Sequence, residues 1–299
     1  MHPFRRALAL LALSSTLLLA FLSAAPTTSL AALRIPVHTM PIAGRARRPH
    51  AASPDPIHFH GGSVMTGNVN IYVIWYGDWT PTSRRRTVVT QFLQHLASPY
   101  WNINRTFPSA TGKVVTSSPV LAGQTVDRGS VGTQQVTDAQ IQTVVEHAVS
   151  AKALPRDSHG IYLVITSASV SKVGFLTEYC GWHSYAHINR SILKYAFIGD
   201  PTGPRIGGCT PQTTSPNGDA GADSMVSTIA HELAETVTDP TFNGWRTDRG
   251  EENGDRCAWQ YGSVYAARRG RANIRLGGRD FLIQTNWVNS AQPHCAMTP

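Results

Sequence analysis

His231, Glu232 and Glu235 lie on one stretch, Met225 to Pro240, in which Met225, Val226, Ile229, Ala230, Leu233, Ala234 and Val237 recur at helical spacing. On such an amphipathic helix the apolar stripe faces inward. Residues four apart stand one above the other, so His231 and Glu235 share the other face, with Glu232 about 100° round. An imidazole and a carboxylate at i and i+4 can grip a divalent metal. A carboxylate beside them can act as general base toward a water whose pKa the metal lowers. The arrangement is H-E-x-x-H with a Glu in place of the second His. It assigns His231 and Glu235 as ligands and Glu232 as the base. A solvated polar helix face is the competing reading, and charge placement weighs against it. Glu232, Glu235 and Asp239 gather toward the helix C-terminus, where the dipole disfavours negative charge. No Lys or Arg follows until Arg246, and Glu232 and Glu235 repel each other at i, i+3. A bound cation offsets these penalties.

A third ligand is expected from the acidic, glycine-rich stretch Gly250 to Asp255. Glu252 is the first choice, with Asp255 and Asp239 in reserve, and a disulfide at Cys257 would lock this loop. His183, close to Cys180, is a further candidate, either facing the helix as a ligand or stabilising an oxyanion; His187 is a weaker one. With His183 the donor set suits zinc. Without it, one His and two carboxylates make a harder site that manganese or calcium also fits. No G-x-S-x-G elbow is present, and no glycine-rich phosphate loop follows a strand. Trp75, Trp79, Trp101 and Trp182 could form a carbohydrate-binding surface, although aromatics more often fill cores.

The elements that must position these residues follow from pattern. Val69 to Tyr76 is rich in β-branched and aromatic residues and reads as a strand. Thr80-Pro81 opens a helix to about Leu96, with Pro81 in the tolerant first turn. Val114 to Val126 reads as one or two strands, and Thr137 with Gln140 resembles a capping box opening a second helix. The apolar run from Gly160 to Ser167 predicts a central strand. Tyr179 to His187 and Tyr195 to Ile198 read as further strands, and a helix from about Asp223 to Thr238 carries His231. This order predicts an α/β (α+β) fold: a twisted mixed β-sheet with packed helices, the His231 helix lying zincin-like beneath a cleft.

Arg5 and Arg6 precede an apolar run, Ala7 to Leu22, and then a cluster of small residues, the pattern of a secretory signal peptide over residues 1–31. The run of about 16 residues is short of the ~20 needed to span a bilayer. No other segment is long and apolar enough to span, so no transmembrane segment is expected after cleavage. Residues 32–57, rich in Ala, Pro, Arg and Thr, read as a disordered linker, and residues 58–299 as a single globular domain. Four cysteines in an exported chain favour two disulfides. Of the three pairings, Cys180–Cys209 with Cys257–Cys295 closes the more modest loops. The net charge of +8 includes Arg268, Arg269, Arg271, Arg275 and Arg279; a solvated basic face is the plainer reading, and the functional one is a surface for anionic cell-wall polymers or extracellular peptides. There is no nucleic-acid motif.

The motifs together resemble the EXORDIUM-like, phosphate-induced family of secreted proteins. The residues that carry the resemblance are His60-Gly61-Gly62, Ile71 to Gly77, Cys180-Gly181-Trp182-His183, Ser215 to Asp219, Ile229 to Glu235 and Glu252 to Cys257. Their order spans essentially the whole chain after the linker. The resemblance implies an extracellular or wall-associated protein, and links the plant members to growth and to brassinosteroid- or phosphate-responsive signalling. Together the residues and the resemblance yield the expectation of a secreted metal-dependent hydrolase, peptidase-like, holding zinc (or manganese or calcium) on His231, Glu235 and Glu252. The alternative is a non-catalytic wall or growth-signalling protein with a structural ion or polar network.

Overall fold

Strict alternation along a few strands gives one sheet two apolar faces. The computed structural model describes residues 35–45, 55–80, 83–188 and 190–299. Six strands form the main sheet: β1 (His38–Pro41), β2 (Asn70–Tyr76), β3 (Val120–Asp127), β4 (Gly160–Thr166), β5 (Tyr179–Ile188) and β6 (Ser191–Ile198). Their order across the sheet is β1-β5-β6-β4-β2-β3. The run β6-β4-β2-β3 is parallel. β5 joins β6 antiparallel, and β1 closes the edge antiparallel to β5. The sheet is therefore mixed, as the sequence pattern predicts.

Ile71, Val73 and Trp75 of β2, with Ile161, Leu163 and Ile165 of β4, pack against helices α1 (Arg84–Gln94) and α3 (Ala220–Thr238). The intervening Tyr72, Ile74, Tyr76, Tyr162 and Val164 face α2 (Asp138–Ser150) on the other side. Side chains of a strand alternate between faces, so strands covered by helices on both sides read as continuous apolar runs.

Caps fix the helix starts. Thr137 and Gln140 form the expected capping box of α2. α1 begins later than the sequence suggests, at Arg84, because the Ser83 hydroxyl accepts the Arg86 N–H at 3.3 Å. α3 begins slightly earlier, because Asp219 accepts the Ala222 N–H at 3.1 Å. Both expected disulfides form, Cys180–Cys209 and Cys257–Cys295. Among the described residues no helix is long and apolar enough to cross a membrane.

The expectation of a disordered linker over residues 32–57 does not hold for His38–Pro41, which form β1. Composition misled here because the pairing partner is remote: β5 presents a ready edge, and an edge strand tolerates the flanking prolines. The expected leader, residues 1–31, lies outside the described residues, as do residues 46–54.

Candidate metal centre

Every residue of α3 from Gly221 to Thr238 is buried, so each ionisable side chain on it needs a partner or an ion. His231, Glu232 and Glu235 are all essentially inaccessible to solvent. Two elements meet them. β5 supplies His183, which points to α3 because its neighbour two residues back, Gly181, does the same. A Cβ at Gly181 would lie 2.5 Å from Thr228 and 3.1 Å from the Glu232 carboxylate, so glycine lets helix and strand approach. The short helix α4 (Asn253–Arg256) supplies Glu252 just before it and Asp255 within it. A Cβ at Gly254 would sit 2.8 Å from Glu235 Oε1 and 3.0 Å from the His231 ring. Gly254 therefore allows α4 to rest directly on the His231–Glu235 pair.

Six ligand-type side chains converge, and Glu232 is buried beside His231. His231 Nε2 lies 3.0 Å from Glu235 Oε1 and 3.9 Å from Asp255 Oδ1. His183 Nε2 lies 3.3 Å from Glu252 Oε2 and 3.7 Å from Glu235 Oε2. His38, on β1, lies 2.6 Å from Asp255 Oδ2 and 3.5 Å from Glu252 Oε1. Two donors each ~2.1 Å from a tetrahedral ion stand about 3.4 Å apart. His183 Nε2 stands close to this spacing from Glu252 Oε2 and Glu235 Oε2, and the His183, Glu235 and Glu252 donors all lie within 4.8 Å of one another. A second such group is His38, Glu235 and Asp255.

Supporting contacts orient the donors. His231 Nδ1, taken as the protonated nitrogen, donates to Gln284 Oε1 at 3.2 Å and so turns Nε2 toward the cluster, as metal-ligating imidazoles are held. The Asp255 backbone N–H donates to Glu235 Oε1 at 3.0 Å. By contrast, His183 Nδ1 and Nε2, His231 Nε2, Glu235 Oε2 and both carboxylate oxygens of Glu232 and Glu252 are buried and make no hydrogen bond. Native proteins rarely leave so many buried polar atoms unsatisfied.

The electrostatics are those of an acidic pocket removed from water. Burial pushes the Glu232 and Glu252 carboxyls well above the usual range; Glu235 and Asp255 push the same way, although neighbouring histidines oppose them. Burial alone would lower His231, but Glu235, Glu232 and Asp255 outweigh it and raise the imidazole to about 9. Burial lowers His183 well below its ordinary value, and His38 and His231 reinforce this, so its ring stays neutral.

Six of the residues singled out from sequence for metal binding or catalysis, His231, Glu232, Glu235, Glu252, Asp255 and His183, thus come together. Asp239 does not: its Oδ1 accepts the backbone N–H groups of Asn243 and Gly244 at 2.6 Å each and holds the turn after α3. His187 is exposed and lies outside the cluster, farther along β5. His38 joins unforeseen, and its only sequence signal is the short alternating stretch Val37 to Met40 between two prolines. Trp75, Trp79, Trp101 and Trp182 are buried in the core and form no carbohydrate platform. Elsewhere, Arg84, Arg268, Arg269 and Arg279 converge on one surface pocket with Asn217 and Gly218.

The fold and site define an αβα protein whose central helix, an adjacent strand and a short following helix enclose a buried histidine–carboxylate cluster. Residues 57–274 match the phosphate-induced protein 1 conserved region, and the chain belongs to that family. The chain is similar to Protein EXORDIUM-like 5 of Arabidopsis thaliana, at 29% identity over 307 residues covering 89% of this chain and 84% of that one. It is also similar to Protein EXORDIUM of the same plant, at 27% identity over 221 residues (63% of this chain, 68% of that one). Protein PHOSPHATE-INDUCED 1 of Nicotiana tabacum is 27% identical over 218 residues, which cover 63% of this chain and 66% of its own. No solved structure matches the chain. Six cluster residues lie within the family-matched region, whereas His38 precedes it.

Proposed function

We propose that this protein is a secreted, metal-dependent hydrolase of the peptidase kind. Its ion is held by His231, Glu235 and Glu252, with His183 as a fourth donor, and Glu232 is the general base. The observation that carries this reading is the set of buried donors without hydrogen bonds: those of His183, Glu235 and Glu252 lie within 4.8 Å of one another, and His231 Nε2 stands 3.0 Å from Glu235 Oε1. Two imidazoles with two carboxylates suit zinc, and manganese also fits. Two disulfides support an oxidising, extracellular setting.

A divalent ion here would supply Lewis-acid polarisation and a water of lowered pKa. Glu232, adjacent to a ligand on the same helix, takes the proton of the attacking water and returns it to the departing amine. Gln284 and the Asp255 backbone hold His231 and Glu235 in place, so substrate binding need not reorganise them. Replacing Glu232 by Gln is expected to leave metal content unchanged and to lower peptide or ester hydrolysis by about 10²- to 10⁴-fold. Wild-type turnover in the metal-replete Glu232→Gln protein would remove Glu232 from the chemistry.

The pH dependence has a definite sign. Without the ion, the His231 imidazole keeps its proton up to about pH 9, and a metal must displace that proton. Apparent affinity therefore rises with pH through neutrality, by about tenfold per unit for one displaced proton, and levels off above about 9. Calorimetry in buffers of differing ionisation enthalpy would detect the released proton. Affinity that stays flat across neutral pH would show that His231 is not a ligand.

A second reading, a non-catalytic wall or signalling protein with a structural ion, is favoured by one observation. His38 and Phe242 cover the cluster, with His38 and Phe242 ring centroids 5.7 and 5.2 Å from that of His183, and structural sites are closed. On that reading the ion is equally stoichiometric and Glu232→Gln changes nothing that is measured. The pocket of Arg84, Arg268, Arg269 and Arg279 is proposed to meet anionic wall polymers. Arg268→Glu with Arg269→Glu is expected to shorten retention on an acidic polysaccharide matrix and to flatten its salt dependence; unchanged retention would place that contact elsewhere.

A further inference from the structure

The covering of the cluster has an unusual source. β1 is the edge of the main sheet and only His38–Pro41 long. It pairs antiparallel with β5 in the register His38↔His183, Thr39↔Trp182 and Met40↔Gly181. The strand thus lies beside the two β5 residues that face α3. Its side chains alternate as an extended peptide's do. His38 turns inward to Asp255 and Glu252. Met40, also turned inward, is fully buried against the Cys180–Cys209 disulfide, with Ile42, Leu176 and Trp259 packed around it. Its sulfur meets Gln284, the residue that orients His231.

The backbone around the strand is held by groups of the body. Ser184 Oγ donates to Pro36 O, Trp259 Nε1 donates to Pro41 O at 3.1 Å, Ile42 N donates to Glu178 O at 3.2 Å and Ala43 N donates to Gly208 O at 2.8 Å. Every one of these contacts is non-covalent, and both disulfides lie within the body, beyond residue 179. Two aromatic residues flank this region with backbone φ values that side chains seldom adopt: Phe242 at 61° and Trp259 at 63°. Phe242 touches the rings of His38, His183 and Tyr185. Such strain collects where a site clamps a ligand.

We propose that the outer edge of β5, from Tyr179 to Ser184, is a binding site for an extended peptide, which residues 36–43 occupy in cis. The site recognises main chain by strand addition and reads alternate side chains in pockets. Its apolar pocket takes an unbranched side chain of methionine size, and the neighbouring position places a side chain over the acidic cluster. Resting on the hydrolase reading above, this makes extended polypeptide the substrate class and the N-terminal strand a latency device. The strand blocks the edge and covers the centre with His38, the cluster residue with the most solvent contact, at 22% of its side chain.

The test uses the full exported chain carrying a site-specific protease sequence within residues 46–54. The chain is cut there, and a fluorescein-labelled synthetic peptide copying residues 35–45 is added. Anisotropy should show saturable binding to the cut chain and none to the uncut chain. Changing Met40 to Asp in the peptide should weaken binding at least ~10-fold by filling an apolar pocket with a charge. A His38→Ala peptide should also weaken it, and a scrambled peptide should not bind. The proposal is overturned if the fragment never exchanges with a large excess of labelled peptide, or if its removal unfolds the chain by circular dichroism; either would make β1 an integral strand. Indifference to both peptide substitutions would also overturn it. Metal content and hydrolysis are measured on the same samples. Specific peptide binding without turnover defeats the hydrolase and keeps the peptide site, whereas turnover without exchange does the reverse.

Discussion

Replacing Glu235 by alanine is expected to reduce bound metal from near-stoichiometric to background and to lower Tm by about 8–16 °C. Glu235 is the residue that joins the two halves of the cluster. One carboxylate oxygen faces His231 Nε2 and accepts the Asp255 N–H, each at 3.0 Å. The other faces His183 Nε2 at 3.7 Å. No other side chain touches both imidazoles among the described contacts, so its loss removes a donor and leaves the His183–Glu252 contact to link β5 to the start of α4. An ion present at a thousand times its Kd contributes about 4 kcal/mol, and in a domain of this length each kcal/mol moves Tm by about 2–4 °C. Chelated wild type should then unfold close to the Glu235→Ala protein, and His187→Ala, exposed and outside the cluster, should leave both metal and Tm unchanged. Freshly purified wild type that holds no metal, cannot be reloaded and ignores chelator would defeat the metal centre altogether. In that event the cluster would be a polar network, kept neutral by the raised carboxyls of Glu232 and Glu252.

The parts of this arrangement that the sequence makes legible share one physical property: they are local. The run of β-branched and aromatic residues from Ile71 to Tyr76 is a pattern among sequence neighbours, and it correctly implies a strand. The i, i+4 relation of His231 and Glu235 is fixed by helix geometry alone. The Thr137 capping box and the placement of Glu252 on a return loop are similarly short-range inferences. What sequence hides is long-range. His38 meets Asp255 across 217 residues, and nothing in the stretch Pro36 to Pro41 says that β5 offers it an edge. That His183 faces α3 at all depends on Gly181, which sets the distance between β5 and α3. The intrinsic propensity of the N-terminal stretch is weak, and tertiary pairing overrides it. Asp239 shows the opposite error. It continues the His231 row by spacing, yet Pro240 ends the helix and the carboxylate is taken by the backbone of Asn243 and Gly244.

The two disulfides should cost similar stability but unequal amounts of site. Cys180–Cys209 closes a separation of 29 residues and Cys257–Cys295 one of 38. Loop-closure entropy grows only with the logarithm of length, so each is expected to contribute about 4 kcal/mol. Their surroundings differ. Cys180 sits within β5, which is hydrogen-bonded to β6 on one side and β1 on the other, so the sheet keeps His183 in place when that bond is lost. Cys257 immediately follows α4, a single turn from Asn253 to Arg256. Such a turn has no stability of its own; it carries Asp255 and begins directly after Glu252. Its other tether, Cys295, lies on the hairpin of Asn286–Val288 with His294–Ala296. The Cys257→Ser/Cys295→Ser protein should therefore lose about as much Tm as Cys180→Ser/Cys209→Ser while losing far more metal affinity, by about 10- to 100-fold, the usual cost of freeing the groups that orient ligands. Thermal melts paired with competitive chelator titrations on both double variants measure the two quantities separately. Equal losses of affinity would mean that α4 is held by its packing on Gly254, His231 and Glu235 and that the disulfide contributes to the fold alone.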